Sequence, residues 1–193
     1  MSRTIYIEKI KGNSSLPLRT ESSCPKKINT EEGDKMVIGV DPGVNGGIAF
    51  LHNGKCVAYK MPATERDIYD LLATGEGSAP VVFLESVHSM PGQGVSSSFK
   101  FGRGYGFLRG AITALKYPLH DVSPQRWQRA LECLTSGNKN ISKQMAQQLF
   151  PHLKITYSIA DAVLIAEYGR RTLAVNYINV PGVRRNRLTS EPI

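Results

Sequence analysis

Three carboxylates stand in apolar settings where an unpaired acid is expensive. Asp41 ends the run VIGVD, Glu85 ends VVFLE, and Asp161 lies in IADA, flanked by Ile159, Ala160 and Ala162. Burying a lone charge is costly. Three acids brought together repel one another, and a divalent cation offsets that repulsion. Oxygen-only ligands suit Mg²⁺ or Mn²⁺ better than zinc. Two such ions can stabilise both the attacking and the leaving oxygen of a phosphodiester hydrolysis. Each acid also has a plainer reading. Asp41 could form a turn before Pro42, Glu85 could meet a surface partner at a strand end, and Asp161 could complement a helix dipole.

For the acids to meet, strand ends and a helix must converge. Residues 37–40, 47–51 and 56–60 read as a meander of strands, with His52-Asn53-Gly54-Lys55 as a hairpin turn. Thr64 as N-cap, with Asp67 three residues on, predicts a helix over roughly 64–74. Residues 80–85 read as a buried strand. Residues 96–116 read as a long helix despite Gly102, Gly104, Gly106 and Gly110. Each glycine costs about 1 kcal/mol relative to Ala, tolerable where another helix or a ligand approaches closely. Residues 119–122 form a short strand, and Ser123-Pro124 opens a helix reaching to about Leu134. Residues 141–150 give another helix, closed by Pro151, and a last one runs from near Ser158 to about Leu173. Strands followed by covering helices predict an α/β fold with a mixed sheet. If strands one and four are parallel neighbours, Asp41 and Glu85 are side by side.

The 193 residues, 41% hydrophobic, fit one domain with tails. No apolar run approaches the roughly 20 residues needed to span a bilayer. Residues 1–35 are polar and read as a flexible extension; Glu21, Glu31, Glu32 and Asp34 argue against an acid-poor transit peptide. The folded domain is expected over 36–173, and 174–193 as a basic tail with Arg184, Arg185 and Arg187. Cys24, Cys56 and Cys133 are scattered, without metal spacing, and read as reduced thiols of an intracellular protein. The net charge is +8, and residues 86–160 hold nine Lys and Arg against only Asp121 and Glu132. A polyanion-binding face beside an acidic metal site would have this distribution; so would a solvated basic surface.

In VIGVDPGVNGGIAF, VVFLESV and IADAVLIAEYG the chain resembles the acid-bearing motifs of RuvC-type Holliday junction resolvases, in the ribonuclease H-like superfamily. MPGQGVSSSFKFGRGYGFLRGAI, SPQRWQRAL and SKQMAQQLFP resemble the phage and organellar branch of that family. The resemblance spans about residues 36–171. It implies a five-stranded mixed sheet flanked by helices. It also implies a homodimer that binds four-way DNA junctions and cuts two strands symmetrically. Asp41, Glu85 and Asp161 are then the Mg²⁺ ligands, with Mn²⁺ as a substitute ion. The resemblance places residues 92–110 at the junction and the dimer interface, so Gln93, Ser96, Ser97, Ser98, Lys100, Arg103, Tyr105 and Arg109 are the expected DNA contacts. The cations would meet phosphates, and Phe99, Phe101 or Tyr105 would stack on exposed bases, with Phe107 kept for packing. Lys143 matches a lysine of the SK-to-LFP motif and is expected to stabilise developing phosphate charge, a solvated lysine being the alternative.

One departure stands out. Members of the family carry a fourth acid or a histidine about one turn before the acid matching Asp161, where this chain has Thr156, Tyr157 and Ser158. A non-catalytic or weakly active junction-binding protein is therefore the second reading. A general nuclease of the same fold is a third. An actin-like ATPase or sugar kinase is a fourth, since Asp41-Pro42-Gly43 and Gly46-Gly47 could form a phosphate loop, although such folds use two lobes and a longer chain. The expected location is the cytoplasm of a bacterial or phage-infected cell, or an organelle.

Overall fold

The computed structural model describes residues 35–87 and 94–178. The extension expected over 1–35 lies outside these residues except for Lys35, as do Gln93, the Pro91-Gly92 turn and the arginines of the tail. The elements run β1 (Val37–Asp41), β2 (Gly47–His52), β3 (Lys55–Lys60), α1 (Glu65–Ala73), β4 (Val81–Glu85), α2 (Val95–Ala114), β5 (Leu119–Val122), α3 (Pro124–Ala130), α4 (Lys139–Leu149) and α5 (Tyr157–Ile178). The five strands form one sheet in the order β3-β2-β1-β4-β5. The meander β1-β2-β3 is antiparallel, while β4 pairs parallel with both β1 and β5. The expected mixed five-stranded sheet is therefore the one formed.

β1 and β4 are apolar on both faces because helices cover both. One face carries Ile38, Val40, Ile48, Val82 and Leu84, packed with Leu72 of α1 and Leu108, Ala111 and Ile112 of α2. The other carries Val37, Ala49, Leu51, Val81 and Phe83 under Trp127 of α3, Ala146 of α4 and the apolar side of α5. The turn between β2 and β3 has positive φ at both Asn53 (49°) and Gly54 (72°), as a type I′ hairpin requires.

Helix ends differ from the sequence expectation for local reasons. α1 begins as expected, with the Thr64 hydroxyl accepting the Asp67 N–H. α3 stops at Ala130 rather than near Leu134, because Glu132 turns to φ 56° and the Cys133 N–H returns to the Gln128 carbonyl. α4 starts at Lys139, ahead of the expected Ile141, because the Asn138 side chain caps it by accepting the Asn140 N–H. α5 continues to Ile178, past the expected end near Leu173.

α5 is seated by glycines of the sheet. A Cβ on Gly39 would lie 2.3 Å from the Ala162 carbonyl oxygen, and one on Gly47 would lie 2.8 Å from the Ser158 carbonyl oxygen. The glycines of α2 behave differently: no heavy atom of the described structure beyond their own helix backbone comes within 4 Å of a Cβ built at Gly102, Gly104, Gly106 or Gly110. The close approach that would explain them is not made within the described chain.

Candidate active site

Asp41 and Glu85 end neighbouring parallel strands, one step beyond the Val40–Leu84 pair. Strand alternation turns both acids to the α5 face of the sheet. Asp161 sits in the second turn of α5, and seating that helix on Gly39 and Gly47 brings its carboxylate to the same end. The acids sense one another. Burial chiefly, and then the charge of Asp161, holds the Asp41 carboxyl above its usual range, although the Gly43 N–H donates to Asp41 Oδ1 at 3.1 Å. Burial pushes Glu85 up to about 7, with the Trp127 hydrogen bond opposing the rise and the charges of Asp41 and Asp161 adding to it. Asp161 is raised as well, again chiefly by burial. Among the described residues no three acid, histidine or cysteine side chains meet at the spacing of a ready-made metal cage. The three carboxylates are coupled through their charges but not closed on a point, as mutual repulsion favours.

The glycines after Asp41 serve the acid itself. A Cβ on Gly46 would fall 2.6 Å from the Asp41 carboxyl carbon, so the turn wraps the carboxylate in bare backbone. Such a wrap is unlike the open cradle of a phosphate loop.

Three neighbours of the acids, Lys139, Trp127 and Ser142, were not singled out by spacing. Lys139 is the cation whose charge lowers Asp41, Glu85 and Asp161 alike. Lys143, one turn further along α4, has its ammonium 4.6 Å over the Tyr157 ring. Trp127 is fully buried and donates its indole N–H to Glu85 Oε1 at 2.9 Å. Ser142, also buried, eases the Asp161 carboxyl downward, yet its Oγ stops short of hydrogen-bond geometry with any partner. Tyr157, which with Thr156 and Ser158 stands where the resemblance implies a further metal ligand, donates its hydroxyl to Asn140 Oδ1 at 2.7 Å, linking α5 to α4. Neither Asp121 nor Glu167 replaces that ligand. Asp121 pairs with Arg109 and accepts from the Tyr105 hydroxyl. Glu167 is pushed up by burial, but Arg170 and Arg171 outweigh this and hold it below its usual range.

The expected DNA contacts of α2 divide between two faces. Lys100 and Arg103 line a depression of about 450 Å³ together with Lys60, Met61 and Phe107. Pro42 and Val44, in the turn after Asp41, form its wall. Arg103 reaches Glu65 at 3.6 Å, with both side chains largely exposed, an ion pair worth little in water. Tyr105 and Arg109 face Asp121 on β5 instead, Arg109 Nη1 donating to the Tyr105 oxygen at 3.3 Å. Ser96 and Ser97 are exposed and Ser98 is half-buried in the first turns of α2. Nearby Val95 and Phe99 leave 88% and 72% of their surface in water, so Phe99 is free of the core.

No protein-family model and no curated protein matches the chain, but its fold matches solved structures. The structure of Thermus thermophilus RuvC aligns over 73% of this chain and 96% of that one, with a TM-score of 0.51 and 18% identity. The T. thermophilus RuvC in complex with a Holliday junction substrate aligns over 71% and 95%, with a TM-score of 0.52 and 18% identity. The yeast mitochondrial Holliday junction resolvase Ydc2 aligns over 76% and 82%, with a TM-score of 0.50 and 18% identity. At this identity the likeness is one of architecture, and with the sheet order and the covering helices it shows that this chain has a ribonuclease H-like fold of the RuvC type.

Proposed function

We propose that this chain is a structure-selective endodeoxyribonuclease that hydrolyses phosphodiesters at four-way DNA junctions, aided by a divalent cation and acting as a homodimer. The observation that carries the reading is the convergence of Asp41, Glu85 and Asp161, from β1, β4 and α5, at one end of a RuvC-type sheet. The donor set fits Mg²⁺ or Mn²⁺: all oxygen, anionic, and desolvated so that each carboxyl is raised until positive charge relieves it. When bound, such a cation would activate water and stabilise the departing oxygen.

The chain's own residues supply the rest. The Gly43 N–H fixes Asp41, and the Trp127 indole holds Glu85. Lys139 brings positive charge to the acidic end, where it can attract a phosphate and oppose charge that grows on it. Lys60, Lys100 and Arg103 line the depression beside the Asp41 turn, and in this reading they would hold the phosphates of the strand being cut.

The reading is tested by incubating the full chain with a synthetic four-way junction and, separately, a linear duplex, in Mg²⁺ or Mn²⁺. Cleavage of the junction alone is expected, and Asp41→Asn should abolish cutting while leaving junction binding intact. Folded wild-type protein that cuts neither substrate in either ion refutes it. Cutting both equally selects a general nuclease. Thr156, Tyr157 and Ser158 where the resemblance implies a further ligand, with the Tyr157 hydroxyl turned to Asn140, favour the second reading of a non-catalytic junction-binding protein. Junction binding without metal-dependent cleavage selects that one.

A further inference from the structure

Trp127 is the largest fully buried side chain of the described structure, and it lies on α3, apart from the elements that carry the acids. Its surroundings are apolar: Val122, Leu131 and Cys133 belong to the same core cluster. A phenyl ring or an aliphatic side chain would serve such a site if filling it were all that was needed. An indole adds an N–H that must be satisfied once buried, and here its acceptor is one oxygen of Glu85. Among the described residues no other side-chain hydrogen bond reaches that carboxylate. A glutamate has three rotatable side-chain bonds, and a single contact from a rigid, close-packed donor fixes which oxygen is committed to the protein and which is left for a ligand.

We propose that Trp127 is the positioning residue for Glu85: its N–H engages Oε1, and Oε2 is thereby left to act at the site shared with Asp41 and Asp161. Trp127 touches neither substrate nor ion and acts through Glu85. The proposal deepens the reading of Glu85 as a cation ligand and rests on it. The Ser123-Pro124 start of α3 follows directly on β5, whose Val122 pairs with Glu85 of β4. The donor is thus carried by the segment adjoining its acceptor's strand, and the two are held in register by the sheet. Partners that orient a metal-binding side chain in this way typically alter metal affinity about 10- to 100-fold when removed.

The chain contains one tryptophan, so indole emission reports on the surroundings of Trp127 alone. The test begins with wild-type full-length protein titrated with Mg²⁺ while indole emission is followed, and with Mn²⁺ while free ion is counted by electron paramagnetic resonance. Emission should shift with a midpoint matching ion binding. Trp127 is then replaced by its sulfur isostere β-(3-benzothienyl)alanine, which keeps the bicyclic shape and lacks the N–H. A Trp127→Phe variant, checked for folding by circular dichroism, runs beside it. Mn²⁺ affinity should fall at least about tenfold in the isostere protein. Affinity unchanged in the isostere while wild type binds overturns the positioning role and leaves the metal site standing. Wild-type emission that stays constant while Mn²⁺ binds overturns it as well, even if both variants fail to fold. Wild type that binds no Mn²⁺, like Asp41→Asn, overturns both the positioning role and the metal-site reading.

Discussion

Replacing Glu85 by Gln should stabilise the metal-free protein, and the gain should depend on pH. The Glu85 carboxyl rises from 4.5 to about 7 on folding, chiefly through burial. A raised folded-state pKa means the native state prefers the protonated form. That preference supports the fold fully below pH 4.5 and is lost as pH rises through about 7. Above that range the protein must keep an ionised carboxylate where it is badly solvated. At about 1.4 kcal/mol per unit, the cost reaches about 3 kcal/mol by pH 8. Gln copies the neutral carboxyl in shape and keeps an oxygen for the Trp127 N–H, so Glu85→Gln should recover this amount at pH 8 and almost none at pH 4. For a chain of this size each kcal/mol moves Tm by about 2–4 °C, a gain of about 6–12 °C. The assay is thermal unfolding of wild type and variant in EDTA across pH 4–8. Asp41 and Asp161 are common to both proteins, so their titration largely cancels. A Tm difference that is constant with pH, or a wild type as stable as the variant at pH 8, refutes the reasoning. Saturating Mg²⁺ at pH 8 should then narrow the gap, because the wild type gains a bound counter-charge.

Three further outcomes follow from other parts of the structure. Lys139→Ala should slow junction cleavage by about 100-fold, with Lys143→Ala slower by less than about threefold, because the Lys139 charge acts on the acids while Lys143 sits over Tyr157; single-turnover kinetics separates the two. Lys100→Ala and Arg103→Ala should each reduce the slope of log affinity against log salt by about 1 in junction-binding titrations, and Arg109→Ala by less, since Arg109 is already neutralised by Asp121. Gly39→Ala should cost about 1–3 kcal/mol or more in urea unfolding, because its methyl would meet the Ala162 carbonyl and the Ala166 N–H at 2.3 and 2.4 Å.

Strands were legible in the sequence because their residues alternate or run apolar between strong turn signals, as at Asn53-Gly54. The meeting of Asp41 with Glu85 could be stated only conditionally, since strand order is a long-range property; the parallel pairing of β1 with β4 supplies the condition. Helix ends were harder to read. The stop of α3 depends on a left-handed Glu132, a residue type that carries no such signal. Lys139 and Lys143 lie one helical turn apart, and nothing local distinguishes the one whose charge reaches the acids. Trp127 carried no role of its own within SPQRWQRAL, and only the position of Glu85 in the sheet reveals its donor role. Tyr105 and Arg109 stand with Lys100 and Arg103 as the DNA contacts that the resemblance implies, but Asp121 of β5 draws them to another face.

Gly39 and Gly47 let α5 backbone lie directly against sheet backbone, and Gly169 makes room for the Phe83 ring, which a Cβ there would approach to 2.5 Å. A helix notched in this way cannot ratchet by a turn, since the shift would drive Cβ atoms into backbone. The sheet thus fixes α5 along its axis, and with it the level at which Asp161 stands beside Asp41. α4, by contrast, bears on α5 through side chains such as Ala146 and Phe150 and through the exposed Tyr157–Asn140 bond. Among the described residues that contact has no glycine notch, so Lys139 is tied to the acidic end only through side-chain contacts.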